Sequence, residues 1–180
     1  MAQELKMRRL LFYFFISFFF VNCNKESSRY NINLNNFKCL VNDINIFFSD
    51  TTQYSIEISE YFTDDFVYHS FPAGQKKGVD TWKDDYIQTI NQIKEMGIII
   101  NIVHSIYLPG INEDTHKFDG SVRVYYGADI LLDSNRTNYS GYQTVNFKDG
   151  KVSELWEWAD FGGVGNHLKL FNKPNIDEKN

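Results

Sequence analysis

Apolar positions along this chain change period twice. From Leu34 they recur at Leu34, Phe37, Val41, Ile44, Phe47 and Phe48, three and four apart, the spacing of one helix stripe. Asn33 or Asn35 suits the cap of that helix, and Ser49-Asp50-Thr51-Thr52 suits its break. Tyr54, Ile56, Ile58, Tyr61 and Phe62 suggest a second short helix, with a β-branched content that leaves its type open. Phe66-Val67-Tyr68-His69-Ser70-Phe71 reads as a strand closed by Pro72-Ala73-Gly74. Val79, Trp82, Tyr86, Ile90 and Ile93 return to helix spacing, with Asp80 or Thr81 at the N-terminal end and Gly97 at the C-cap.

After Gly97 the pattern becomes β. Strands are predicted over roughly 98–108, 118–132, 139–147 and 152–161, separated by Pro109-Gly110, Asp133-Ser134-Asn135-Arg136 and the hairpin signal Asp149-Gly150. Helices first and short-turned strands later predict an α+β domain: a curved, largely antiparallel sheet covered on one face by the N-terminal helices.

The first 22 residues stand apart from that domain. Lys6, Arg8 and Arg9 precede Leu10 to Val21, a run without charge that is too short for an ordinary membrane span and suits a secretory leader. Cys23 follows at once, then the polar Asn24-Lys25-Glu26-Ser27-Ser28. This arrangement resembles a bacterial lipoprotein signal, which implies palmitate-type acylation of Cys23 and a lipid-anchored place in the cell envelope, periplasmic or on the surface. The expected organisation is a signal peptide over 1–22, a polar tether over 23–33, one domain over 34–172 and a polar tail over 173–180.

Composition narrows the partners. The chain carries a net charge of -5, and excising the leader removes three cations against one anion. Without a lysine or arginine cluster in the domain, nucleic acid is not an expected partner. Cys39 is the only thiol besides Cys23, so no disulfide framework is expected. Four histidines without paired ligand spacing give no metal site. Gly162-Gly163-Val164-Gly165 lacks the context of a phosphate loop, and no cofactor is implied.

The most informative stretch is Val152-Ser153-Glu154-Leu155-Trp156-Glu157-Trp158-Ala159-Asp160, which leaves the Asp149-Gly150 turn. Side chains two apart share a face, so Trp156, Trp158 and Asp160 line one surface, either a pocket floor or an aromatic core. An acid shielded there by indoles can accept or deliver a proton. The same alternation sets His69 with Val67 and Phe71, and Tyr68 opposite with Phe66 and Ser70.

Three blocks, Tyr61-Phe62-Thr63-Asp64-Asp65-Phe66-Val67-Tyr68-His69-Ser70, then Gly78 with Trp82, then Asp149 to Asp160, resemble the SnoaL-like branch of the nuclear transport factor 2-like superfamily. The resemblance covers most of residues 34 to 167. It implies a cone-shaped fold with an apolar pocket between concave sheet and helices, and pairing of copies through the convex sheet face. In the family's cyclases an aspartate at the end of the last strand is the acid/base, and Asp160 matches it. His69 resembles a histidine common in that branch. Ser70 stands where the isomerase branch has its catalytic aspartate, which argues against that route.

Asp160 and His69 are therefore the candidate catalytic residues, Trp156, Trp158, Tyr68 and Trp82 the candidate ligand-binding residues, and Cys23 the lipidation site. Three functions stay open at this point: binding of a small hydrophobic or aromatic molecule without turnover, cyclase- or isomerase-like proton transfer by Asp160, and a non-catalytic scaffold or homodimer.

Overall fold

The structure is a computed structural model that describes residues 28–49, 57–72 and 77–168. The leader, Cys23, residues 24–27 of the tether, Tyr54, Ile56 and the tail lie outside the described residues. Among those described, no helix is long and apolar enough to cross a membrane.

Helix α1 covers 28–49, and a 3-10 turn at Ile58–Tyr61 leads into β1 (Phe62–Ser70). Then follow β2 (Val79–Trp82), α2 (Lys83–Glu95), β3 (Ile99–Ile111), β4 (Phe118–Leu132), β5 (Asn135–Lys148), β6 (Lys151–Ala159) and α3 (Phe161–His167). The strands form one sheet in the order β2-β1-β6-β5-β4-β3. Short turns make the β3 to β6 meander antiparallel, as expected. β1, inserted beside β6 from the other end of the sequence, pairs with it in parallel, so the sheet is mixed. The result is the predicted α+β cone, its concave face packed by α1 and α2.

The inner wall is built by alternation. Val122, Val124, Tyr126 and Ala128 of β4, Val145 of β5 and Leu155 of β6 are buried against Phe37, Leu40 and Phe48 of α1 and Ile90 of α2. Phe62 and Phe66 of β1 close on Tyr86 of α2 with ring centroids 5.5 and 5.2 Å apart. A second cluster of Ile98, Ile130, Val164 and Leu168 seats α3 against the end of the cone.

Several local expectations are corrected. Residues 28–33, expected as tether, are helical because their polarity hides specific anchors: the buried Asn33 donates to the Gly120 carbonyl at 2.8 Å. Asn45, farther along α1, accepts from the Ile102 amide at 2.8 Å and donates to the Ile102 carbonyl at 3.0 Å. It thereby pairs like a strand with β3 beside the bulge between Ile102 and His104. The second short helix shrinks to a single 3-10 turn, and β1 begins at Phe62 rather than Phe66. Val79 to Trp82, expected as the start of the long helix, form an edge strand, so α2 begins at Lys83. Pro109-Gly110 lies within β3 beside a register shift, and the turn comes after Ile111.

Gly97 behaves as expected. It takes φ of 75° after α2 and donates to the Lys94 carbonyl while Ile98 donates to the Ile93 carbonyl, closing the helix end. Asp149 and Gly150 have φ of 53° and 79°, the pair of left-handed residues that a two-residue hairpin needs between Lys148 and Lys151.

Candidate functional site

β6 places its residues on two faces, and the inner one holds a carboxylate. Leu155 lies opposite Val145 and Tyr68, and Glu157 opposite Gln143 and Ser70, all on the concave side. Glu157 is only 8% exposed. Burying a charge there is costly unless it is hydrogen-bonded, and three donors converge on it. Tyr126 donates to Oε1 at 2.5 Å, Gln143 Nε2 to Oε1 at 2.6 Å, and Tyr68 to Oε2 at 2.6 Å.

Each donor is placed by its strand. Gln143 is the cross-strand neighbour of Glu157. Tyr68 reaches diagonally from β1, where its register partner is Leu155. Tyr126 lies on β4 and must cross β5, which it does over Gly141: a Cβ at that position would sit 2.5 Å from the Tyr126 hydroxyl. The missing side chain is thus part of the site.

Two further tyrosines flank the cluster. Tyr86 of α2 lies against Tyr68 with centroids 5.0 Å apart, and Tyr139 of β5 meets Tyr126 edge-on at 5.8 Å. Burial, reinforced by the Glu157 charge, holds all four phenols protonated well above the ordinary tyrosine range, with Tyr139 pushed up to about 12. They are donors at any physiological pH. Tyr68, Tyr86, Tyr139 and Gln143 are each only partly buried.

The residues chosen from sequence divide differently. Trp156 and Trp158 do share a face, but it is the convex one. Trp156 stacks on His69 with centroids 4.4 Å apart, and Trp158 on Phe71 at 4.6 Å with planes 1° apart. His69 Nδ1 lies 2.7 Å from Asp80 Oδ1, which ties β1 to β2 on the outside, while its Nε2 is buried and unpaired among the described residues. Asp160 does not enter the cone. It is the N-cap of α3, its exposed carboxylate accepting from the Gly163 amide at 2.8 Å. Trp82 is 61% exposed at the foot of α2. Of the named residues only Tyr68 reaches the buried acid, and Asp160 and His69 are not brought together.

The physical reason for the correction is that alternation tells which residues share a face, not which face is inside. Alternation singles out Trp156 and Trp158 as a pair, but the residue between them, Glu157, is the one that faces inward. The signal that could have found Glu157 was Tyr68, already placed opposite His69 with Phe66, whose face is the core.

A groove of about 780 Å³ lies at the other end of β6, beside the Asp149-Gly150 turn, walled by Arg29, Ile32, Phe118, Phe147 and Lys148. None of the residues chosen from sequence lines it.

No family model and no curated protein sequence matches the chain. Solved structures do. A phenazine biosynthesis-related protein from Pseudomonas aeruginosa superposes with a TM-score of 0.57 at 12% identity, over 87% of this chain and 96% of that one. A provisionally assigned polyketide cyclase from Xanthomonas campestris pv. campestris gives 0.57 at 6% identity, over 78% and 98%. A nuclear transport factor 2-like protein from Anabaena variabilis gives 0.51 at 15% identity, over 72% and 87%. At these identities the likeness is one of fold, and the fold is the nuclear transport factor 2-like cone.

Proposed function

We propose that the chain is an envelope lipoprotein whose cone takes up a small hydrophobic or aromatic molecule, with the Glu157 cluster fixing its polar end. One observation carries this reading: a buried carboxylate, held by Tyr68, Tyr126 and Gln143, stands on the inner wall of an otherwise apolar cone. A few convergent polar groups in an apolar concavity are the usual make-up of a small-molecule site. Binding is favoured over turnover because Glu157 already accepts three hydrogen bonds that restrain it. Were proton transfer to occur, the group within reach would be Glu157 and not Asp160. Leu10 to Val21 followed by Cys23 supports export and acylation.

Mass spectrometry of the chain isolated from membranes tests both parts. Intact mass is expected to include acyl groups that Cys23→Ser abolishes, and the native spectrum a bound compound that Tyr68→Phe combined with Tyr126→Phe loses. A chain that carries nothing and takes up no member of a panel of ring-bearing compounds overturns the binding function. An unmodified Cys23 overturns the anchor.

A second reading concerns the convex face, where Trp158, Tyr125, Ile106 and Leu108 are exposed together. It supports a homodimer through the sheet, and such pairing is compatible with binding inside the cone.

A further inference from the structure

We infer that the molecule taken up by the cone carries a protonated amine, which docks between the tyrosine pairs onto Glu157. The inference rests on the binding function proposed above and adds the chemical class of the ligand.

Every donor on Glu157 is neutral: two phenols and an amide. Among the described residues the four ion pairs all lie elsewhere, at His69–Asp80, Lys83–Asp64, Arg136–Asp129 and Lys148–Asp65. The interior therefore carries a negative charge that is solvated by dipoles and not neutralised by a cation. A ligand that brings a positive charge recovers the attraction that burial makes strong, whereas an anionic ligand meets repulsion in the same low-dielectric space.

The geometry leaves room for one more donor. A carboxylate offers about four lone-pair sites. Oε1 accepts from Tyr126 and Gln143, but Oε2 accepts from Tyr68 alone. Tyr86 and Tyr139 are held protonated by burial first and by the Glu157 charge second, and neither donates to Glu157. The Tyr139 hydroxyl pairs with that of Tyr126 at 3.5 Å, so among the described residues the Tyr86 oxygen is the one left as an acceptor for an ammonium N–H. The rings stand in two pairs, Tyr68 with Tyr86 and Tyr126 with Tyr139, and aromatic faces attract a cation that lies within about 6 Å. The carboxylate, the Tyr86 oxygen and the ring faces all suit the same cationic ligand group.

The test uses three probes of one shape, benzylammonium, benzyl alcohol and benzoate, titrated calorimetrically into the full chain in non-ionic detergent at neutral pH. Benzylammonium is expected to bind at least about tenfold more tightly than the alcohol, and benzoate most weakly. Glu157→Gln, whose amide oxygen still accepts from Tyr68 or Tyr126, is expected to bring the two neutral-pH preferences together. Tyr86→Phe leaves all three bonds to Glu157 intact and is expected to weaken the amine alone by several-fold, so the result does not depend on the stability of the Glu157 variant. Equal affinity for amine and alcohol, or an amine preference that survives Glu157→Gln, overturns the inference. Binding of the neutral probe without the amine does so while leaving the binding function standing. Failure of all three probes overturns the inference, and the binding function falls with it only where the chain also carries no compound in its native mass spectrum and takes up none of the panel.

Discussion

Tyr126 can reach Glu157 only because residue 141 has no side chain. In Gly141→Ala the new Cβ would lie 2.5 Å from the Tyr126 hydroxyl and 2.6 Å from Cε1 and Cζ of its ring, with strand backbone on the other side. The ring must swing away, and Glu157 then loses a donor while remaining buried. Hydrogen bonds to charged groups contribute about 1.5–3 kcal/mol, and an unmet buried acceptor costs a similar amount. A destabilisation of about 1.5–3 kcal/mol is expected in the urea unfolding midpoint. Gly162→Ala is the matched control: the nearest atom to its added Cβ is Asp160 Oδ1 at 3.7 Å, and alanine favours the helix it would join. It is expected to be neutral or stabilising. Equal losses in both variants would show that the contact over Gly141 does not hold Tyr126. This residue-level dependence was illegible in the sequence, where Gly141 has no turn partner and Glu157 sits between two tryptophans. Contacts across three strands depend on register, and register is a property of the whole sheet.

At the scale of elements, the chain end of β6 shows what the sequence could and could not reveal. Periodicity correctly paired Trp156 with Trp158 and separated Tyr68 from His69. It extends the strand through Phe161, whereas the strand stops at Ala159 and α3 starts at Phe161. The signal for that change is local and legible: an aspartate followed by Phe161-Gly162-Gly163 is an N-cap pattern, the alternative to an acid/base role for Asp160. Gly163 is needed for close approach, because a Cβ there would meet Asp160 Oδ2 at 2.3 Å. The capping role makes an asymmetric prediction. Asp160→Ala removes the acceptor for the Gly163 amide and is expected to cost about 0.5–2 kcal/mol, whereas Asp160→Asn, which caps equally well, is expected to lie within about 0.5 kcal/mol of the parent. Neither is expected to alter ligand affinity. A loss of binding in Asp160→Asn at unchanged stability would restore Asp160 to the site and displace the capping account. The edge strand β2 was missed for a related reason. Val79 and Trp82 fit the helix stripe of Tyr86 and Ile90, and only pairing with Val67 to Ser70 reveals them as a strand.

For the whole molecule, the face that the sequence offered as a pocket remains unaccounted for unless something covers it. Phe71 just after β1, Trp158 of β6, Tyr142 of β5 and Tyr125 of β4 stack in succession, with centroids 4.6, 5.6 and 4.8 Å apart, and Ile106 continues the row on β3. At about 4.8 Å per strand the row is roughly 19 Å long. Its rings pack against one another, so their outer edges form a firm apolar stripe. Two such stripes would meet each other in an isologous pair, and a stable pair needs about 800 Å² from each partner. Each copy carries a net charge of -5, more negative still once three cations and one anion leave with the leader, so long-range electrostatics opposes association and burial must drive it. Association through this face is therefore expected to strengthen as salt rises to about 0.5 M, where charge repulsion is screened. Ile106 is 61% exposed in the single chain, so Ile106→Asp is expected to leave folding intact. It would place a carboxylate inside the pair and weaken dimerisation by at least about tenfold. Ile32→Asp changes an equally apolar, 55% exposed position on α1, away from the sheet's outer face, and is expected to have no effect on association. Sedimentation velocity in density-matched detergent reads all three chains. A monomeric parent at every concentration, or equal behaviour of the Ile106 and Ile32 variants, would show that the stripe meets something other than a second copy.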